Sequence, residues 1–456
     1  MTDLLVRDCE VEGRERVDVR VRDGRVVEIG RALRGDGEDV LPADGGRLIR
    51  GLHDHHLHLF ALAADLSSVR CGPEERRSVE ELRRALQAAA LNGAVRGTGY
   101  QERVAGPLDR DRLDQLVSDV PVRVQHRSGA LWFLNSSALT ATGIADSPDP
   151  AVERAADGRP TGRLLRGDHL FPRDGALPEL SSVGRMLAAC GVTGVTDATP
   201  RLDERQVSAL RTAHADGALP QRPVLLGAAD AVNVPWKVLV DEVRGLDPAA
   251  LTAEIHAAHA AGRPVALHCT SRAETVLAVV ALRDCGARRG DRLEHAGVLP
   301  RELDASLARD GVTVVTQPHF VAERGDDYLA DVERVDHDLL YRCGSLIGAG
   351  VPVAAGTDAP YGRPDPWRAI AAAVGRRTTA GVVVGAAERI SPMRALELFL
   401  GSPLDPGGPP RKVAPGEVAD LCLLAGPLAD VLADPVADLV AATVVAGRVV
   451  HRGDGL

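Results

Sequence analysis

Lysine is almost missing from this chain. Of 54 basic residues only Lys237 and Lys412 are lysine, and every other one is arginine. Arginine cannot be deprotonated in a protein, so a retained lysine invites the question of what its amine does. Aromatic side chains are equally scarce, with 5 Phe, 3 Trp and 4 Tyr in 456 residues, which leaves few rings to stack on a purine or pyrimidine. The seven cysteines, Cys9, Cys71, Cys190, Cys269, Cys285, Cys343 and Cys422, are odd in number and far apart, a pattern of reduced thiols in a cytoplasm. No apolar run approaches the ~18 residues that span a bilayer. The opening MTDLLVRDCEVEG has no basic start followed by an apolar signal core. Cationic patches are absent too: 64 acidic against 54 basic residues give a net charge of -10, with the arginines scattered. Such a surface has no electrostatic footprint for nucleic acid. The expected protein is cytoplasmic, with a small uncharged or cationic molecule as its partner, no nucleic acid and no membrane. A homo-oligomer is compatible with this.

What is present is a rhythm. A chain of 456 residues exceeds one ordinary core and suits a large barrel with a smaller appendage, or two to three domains. The first 50 residues read as short strands, "DLLVRDCEVEG", "RVDVRVRDGRVVEIG" and "GGRLIRG", divided by Asp-Gly and Gly-Gly turns. The end repeats this character in "ADLCLLAG" and "AATVVAGRVVHRG", after the Pro/Gly-rich "GSPLDPGGPPRKVAPGE". Between them, strands at 192–198, 222–228, 236–241, 264–269, 292–296, 312–318 and 351–358 alternate with helical stretches. With the segment at 51 they make eight, the count of a (β/α)8 barrel. The expected architecture is therefore α/β, a distorted (β/α)8 TIM barrel at 51–404. A small β-sandwich domain from 1–50 and 405–456 would complete it. Residues from about 60 to 190 break the rhythm and read as a long insertion, whose "PVRVQHRSGALWFLNSSAL" could form a lid or substrate wall.

In such a barrel the chemistry lies at the C-terminal strand ends. The first strand carries "GLHDHHLHLF". Side chains two residues apart share a face, so His56 and His58 project together, with Asp54 one step deeper as support. His53 and His55 fall on the opposite face, as structural residues or as supports behind the ligands. Two imidazoles on one face suit Zn2+ or a related ion, while a hydrogen-bonded polar strand end is the alternative role. His268 ends the fifth strand, His295 the sixth and Asp358 the eighth. Singly, each reads as a satisfied strand end or, for Asp358, a helix cap. Jointly they keep a positional rhythm that unrelated residues have no reason to keep. Lys237 stands among Trp236, Val238, Leu239 and Val240, where burial would lower its pKa and leave a neutral amine. A surface-facing lysine is the competing role.

Taken in order, "GLHDHHLHL", "WKVLVD", "RLEHA", "VTVVTQPHF" and "GTDAPYGRPDPW" resemble the amidohydrolase superfamily, and most closely its metal-dependent amidohydrolase family 3, over nearly the whole chain. The resemblance implies a centre of one or two divalent ions, zinc foremost. His56, His58 and Asp358 would hold the first, His268 and His295 the second, and an N6-carboxylated Lys237 would bridge them. It implies hydrolysis of a non-peptide carbon-nitrogen bond in an amide, N-substituted formamide or cyclic amide. Metal binding would bring the pKa of water from 15.7 toward ~7, with Asp358 as the catalytic general base and acid. Arg127, Trp132, Arg272 and His319 are candidate substrate contacts. Two places depart from the family pattern: Gly129-Ala130 stands where Gly-His is frequent, and "HCTSRAE" where His-Ala-x-Gly-Asp is frequent. Both would line the pocket, so no relative's substrate transfers. Two other readings are open: hydrolytic deamination of a ring amine, usually with one metal, and a metal-free assembly protein on the same fold.

Overall fold

Eight short segments form parallel strands; helices separate most consecutive pairs, as a crossover back to the same direction requires, whereas β3 and β4 follow one another without a helix. They are β1 (Leu52–Leu57), β2 (Val192–Asp197), β3 (Arg222–Leu225), β4 (Trp236–Leu239), β5 (Val265–Cys269), β6 (Arg292–His295), β7 (Thr313–Thr316) and β8 (Val353–Ala355). β1, β2, β5, β6, β7 and β8 are largely or wholly buried, as parallel strands covered on both faces require. The computed structural model describes residues 3–171, 175–242 and 245–453. It comprises two units, one of residues up to 59 with 180 onward, the other of residues 60–179.

The eight strands do not make one continuous ladder. They form a three-stranded sheet in the order β3-β2-β1 and a five-stranded sheet in the order β4-β5-β6-β7-β8. Isolated backbone bonds join their edges: Lys237 N–H donates to Leu226 O at 3.3 Å on one side, and Asp358 N–H to His56 O at 2.6 Å on the other. The second seam is interrupted by Asp358 itself, whose φ of +53° turns it out of strand geometry. Just before it, a Cβ on Gly356 would stand 2.4 Å from His56 N, so only glycine lets β8 approach β1 this closely.

Helices between the strands carry legible caps. Asp203 and Ser271 form capping boxes for Glu204–Asp216 and Arg272–Cys285, and Asp247 with Pro248 starts Pro248–Ala260. At the chain ends two further four-stranded sheets appear. One is purely N-terminal, from Leu4–Val11, Arg14–Arg22, Arg25–Gly30 and Asp39–Pro42; the other joins Leu48–Arg50 to Leu421–Leu424, Val440–Val445 and Arg448–Arg452. They share an apolar core in which Val6, Val19 and Leu41 meet Leu421, Leu423 and Val444.

The smaller unit, expected from sequence only as an insertion, has a six-stranded mixed sheet of its own. Part of it is an antiparallel pair, Val122–His126 with Leu131–Leu134, turning through Gly129 at φ +75°. Asn135 then caps the helix Ser136–Thr142. All seven cysteines are free. Among the described residues no helix is long and apolar enough to cross a membrane.

Candidate metal centre

His56 lies in β1 and His58 just past its end, their rings 5.5 Å apart and nearly perpendicular. Asp358, delivered by the turn after β8, reaches both: Asp358 Oδ1 is 3.2 Å from His58 Nε2 and 3.5 Å from His56 Nε2. Tetrahedral ligands about 2.1 Å from a zinc ion stand roughly 3.4 Å from one another. The ligand atoms of these three residues all lie within 4.8 Å of one another.

The electrostatics favour a cation there. Burial, helped by the facing Lys237, pushes His56 down to about 3, so its imidazole is neutral. Burial alone would raise the Asp358 carboxyl, but His295, His58 and His56 around it hold it well below the usual carboxylate range. His56 Nε2 and Asp358 Oδ1 are both buried with no hydrogen-bond partner. A buried imidazole nitrogen and a buried carboxylate oxygen 3.5 Å apart, neither hydrogen-bonded, leave a gap that a shared cation would fill. Imidazole and carboxylate donors suit zinc and related divalent ions.

The other expected residues surround this group. His295 ends β6 with its ring 4.6 Å from that of His56, and His268 in β5 stacks edge-on against His295 at 4.6 Å. His295 Nδ1 bonds Gln317 Oε1 at 2.8 Å, while its Nε2 is buried and unpartnered. Lys237 is buried, as its apolar neighbours suggested, and its Nζ has no hydrogen-bond partner. Burial lowers its pKa to about 8 against the opposing pull of Glu294 and Asp358. Both His295, at φ +70°, and Asp358 occupy the left-handed region, a backbone cost of order 1–3 kcal/mol that is typically tolerated at functional sites.

Asp54 is bonded to both sides of this group, accepting from Thr357 N at 2.9 Å and His56 N at 3.2 Å; burial raises it to about 7. His53 bonds Thr196 Oγ1 at 2.9 Å, and His55 is buried with neither ring nitrogen hydrogen-bonded. His58 Nδ1 pairs with Thr199 Oγ1 at 3.1 Å. Two residues not anticipated from sequence stand at the heart of the cluster. Glu294 is fully buried and bonds His56 Nδ1, and the equally buried Arg292 pairs with Glu294. Their i, i+2 spacing in a strand with no exposed residue was the available signal: two charges on one buried face must pair.

The four candidate substrate contacts have partners of their own. His319 is buried beside Asp358's turn, with Nε2 bonding Thr357 O at 3.0 Å. Arg272 pairs with Asp336 through Nε at 3.0 Å. In the smaller unit, Arg127 donates to Gln101 Oε1 at 2.8 Å. Trp132 there is buried, donating to Asp168 Oδ1 at 2.9 Å with Arg96 and Arg123 over its ring.

Comparison with known proteins gives the family. Residues 39–451 match the model of the Amidohydrolase family. The chain is 28% identical to YtcJ of Bacillus subtilis (strain 168), over 91% of this chain and 90% of that one. It is 24% identical to the N-substituted formamide deformylase of Arthrobacter pascens, over 90% of each. Among solved structures it resembles an uncharacterized metal-dependent hydrolase from Pyrococcus horikoshii OT3, with a TM-score of 0.74 at 18% identity over 99% of this chain and all of that one. A second, from Pyrococcus furiosus, has a TM-score of 0.71 at 19% identity over 93% and 99% of the two chains. The chain belongs to the amidohydrolase family and is an enzyme, a hydrolase acting on carbon-nitrogen bonds.

Proposed function

We propose that this enzyme hydrolyses the carbon-nitrogen bond of a small amide, N-substituted formamide or cyclic amide at a zinc centre built on His56, His58 and Asp358. The observation that carries this reading is the group of two imidazoles and one carboxylate at zinc-ligand spacing, with buried acceptor atoms facing one another. His268 and His295 would hold a second ion. Lys237 would bridge the two after carboxylation, in which its neutral amine bonds to carbon dioxide and releases a proton. A pKa near 8 supports this, because it leaves some unprotonated amine at neutral pH. The eight strands read as a distorted, closed (β/α)8 barrel over 51–404, interrupted at two seams. The terminal sheets read as a sandwich of 1–50 with 405–456.

A divalent ion in this place supplies Lewis-acid polarisation of a carbonyl and lowers the pKa of water. The remaining work falls to the chain. Asp358, ionised, accepts a proton from the attacking water and returns it to the leaving nitrogen. Gln317 orients His295 through Nδ1, and Asp54 with Thr357 fixes the backbone between β8 and β1. A screen of N-formyl, N-acyl and cyclic amides with zinc-loaded enzyme tests the reading, with Asp358→Asn as control. Hydrolysis that depends on zinc and collapses in the variant is the expected result. Undiminished turnover by Asp358→Asn would remove Asp358 from the chemistry.

A further inference from the structure

Glu294 has both carboxylate oxygens engaged. Oε2 accepts from His56 Nδ1, while Arg292 forks across the carboxylate, Nε donating to Oε1 and Nη2 to Oε2 at 3.2 Å. Arg292 Nη2 also donates to the backbone oxygen of His55 at 2.7 Å, so the network returns to the residue before His56. Glu294 and Arg292 stand on β6, which pairs with β5 and β7, whereas His56 stands on β1 in the other sheet. The contact therefore ties two sheets together through polar atoms alone. Well-packed apolar residues of similar volume would generally do this at no loss of stability, since a buried ion pair roughly breaks even against them. An apolar pair could not, however, decide which nitrogen of His56 carries the proton. A carboxylate already clamped by a guanidinium can only accept, so Nδ1 must be the N–H. The lone pair is then on Nε2, the atom that faces Asp358 Oδ1 at 3.5 Å.

We propose that Glu294, clamped by Arg292, is a positioning residue that holds His56 as the Nδ1–H tautomer and aims Nε2 into the cation site. The proposal rests on the metal-centre reading above. Carboxylate partners of metal-binding histidines are typically worth 10–100-fold in affinity, about 1.4–2.7 kcal/mol. A strut that only joined β1 to β6 would affect unfolding and leave tautomer and metal affinity alone.

The test uses the full-length protein labelled with 15N-histidine, wild type and Glu294→Gln. Imidazole 15N shifts are read in the metal-free state, and Zn2+ affinity by competition with a chromogenic chelator. Wild type should show His56 as the Nδ1–H tautomer. In Glu294→Gln the amide can donate to Nδ1, so the tautomer should shift toward Nε2–H and zinc affinity should drop about 10–100-fold. Arg292→Lys, which keeps the charge and loses the fork, should weaken zinc binding by less, and it serves if the glutamine variant fails to fold. Unchanged tautomer and zinc affinity in Glu294→Gln would overturn the proposal, as would wild-type His56 already protonated at Nε2. Wild type that takes up no zinc would overturn the metal reading instead, and the metal-free tautomer comparison would still decide the role of Glu294.

Discussion

Arg342 and Glu388 are as deeply buried as Arg292 and Glu294, yet the two clusters are completed differently. Around Glu388, Oε2 accepts from Ser345 N at 2.9 Å and Cys343 N at 3.2 Å, and Oε1 from Ser345 Oγ at 2.6 Å and Arg301 Nη2 at 3.0 Å. Arg342 donates to Ser345 Oγ, Leu299 O and both oxygens of Asp304. Each polar atom there is answered by another from the chain. Around His56 the satisfied bonds stop at Nδ1, and His56 Nε2, His295 Nε2, Lys237 Nζ and Asp358 Oδ1 are buried without hydrogen-bond partners. Buried polar atoms without partners call for an explanation, and two of these, His56 Nε2 and Asp358 Oδ1, face one another at 3.5 Å. Burial and charge are thus shared by the two clusters, and what separates them is the unspent bonding capacity around His56.

Substitutions should break this contrast in a graded way. Asp358→Asn is expected to have the largest effect, lowering kcat by about 10²–10⁴-fold, or roughly 3–5 kcal/mol of transition-state stabilisation, in steady-state assays with the identified amide. Chelation comes next. Protein saturated about 100-fold above its zinc Kd should lose about 2.7 kcal/mol of stability on treatment with EDTA, seen as a lower thermal midpoint. Metal-free His56→Ala should show no such fall. Glu388→Ala should cost about 2 kcal/mol in urea unfolding, because it orphans buried donors, while zinc affinity stays at the wild-type value. If Glu388→Ala weakened zinc binding as much as His56→Ala, the division between the clusters would fail.

The smallest effect concerns acid stability. Burial opposes ionisation of Glu388, but Ser345, Arg342 and Arg301 hold it below its ordinary value of 4.5. A depressed carboxyl contributes stability above the unfolded pKa and loses it as pH falls through the folded one. Urea midpoints measured from pH 7 downward should therefore fall less steeply below about pH 4.5 in Glu388→Gln than in wild type. Equal slopes would contradict the ion pairing.

The unequal legibility of these features has physical causes. The parallel strands could be placed from sequence because most are short runs rich in Val, Leu and Ala between turns and capped helices, which carry a local signal, while the polar β1 and β6 were placed by their position in the repeating rhythm. Their division into two sheets could not, since it depends on which strand edges pair across the closed set; at the β8–β1 seam, for example, the left-handed backbone of Asp358 interrupts the pairing. Likewise the strand Asp39–Pro42 is strongly exposed and is defined by its parallel pairing with Leu4–Val11 rather than by its own pattern. In the centre, His56 and His58 were readable from spacing, and the burial of Lys237 from its apolar neighbours. Glu294 was masked by the histidine beside it, because attention to strand-end ligands passes over the residue whose partner lies across the molecule.

Anomalous diffraction at the zinc edge, from a zinc-soaked crystal, locates a bound ion without any assay. A peak is expected about 2.0–2.2 Å from His56 Nε2, His58 Nε2 and an Asp358 oxygen. A zinc-loaded crystal with strong peaks elsewhere and none among these three atoms would contradict it.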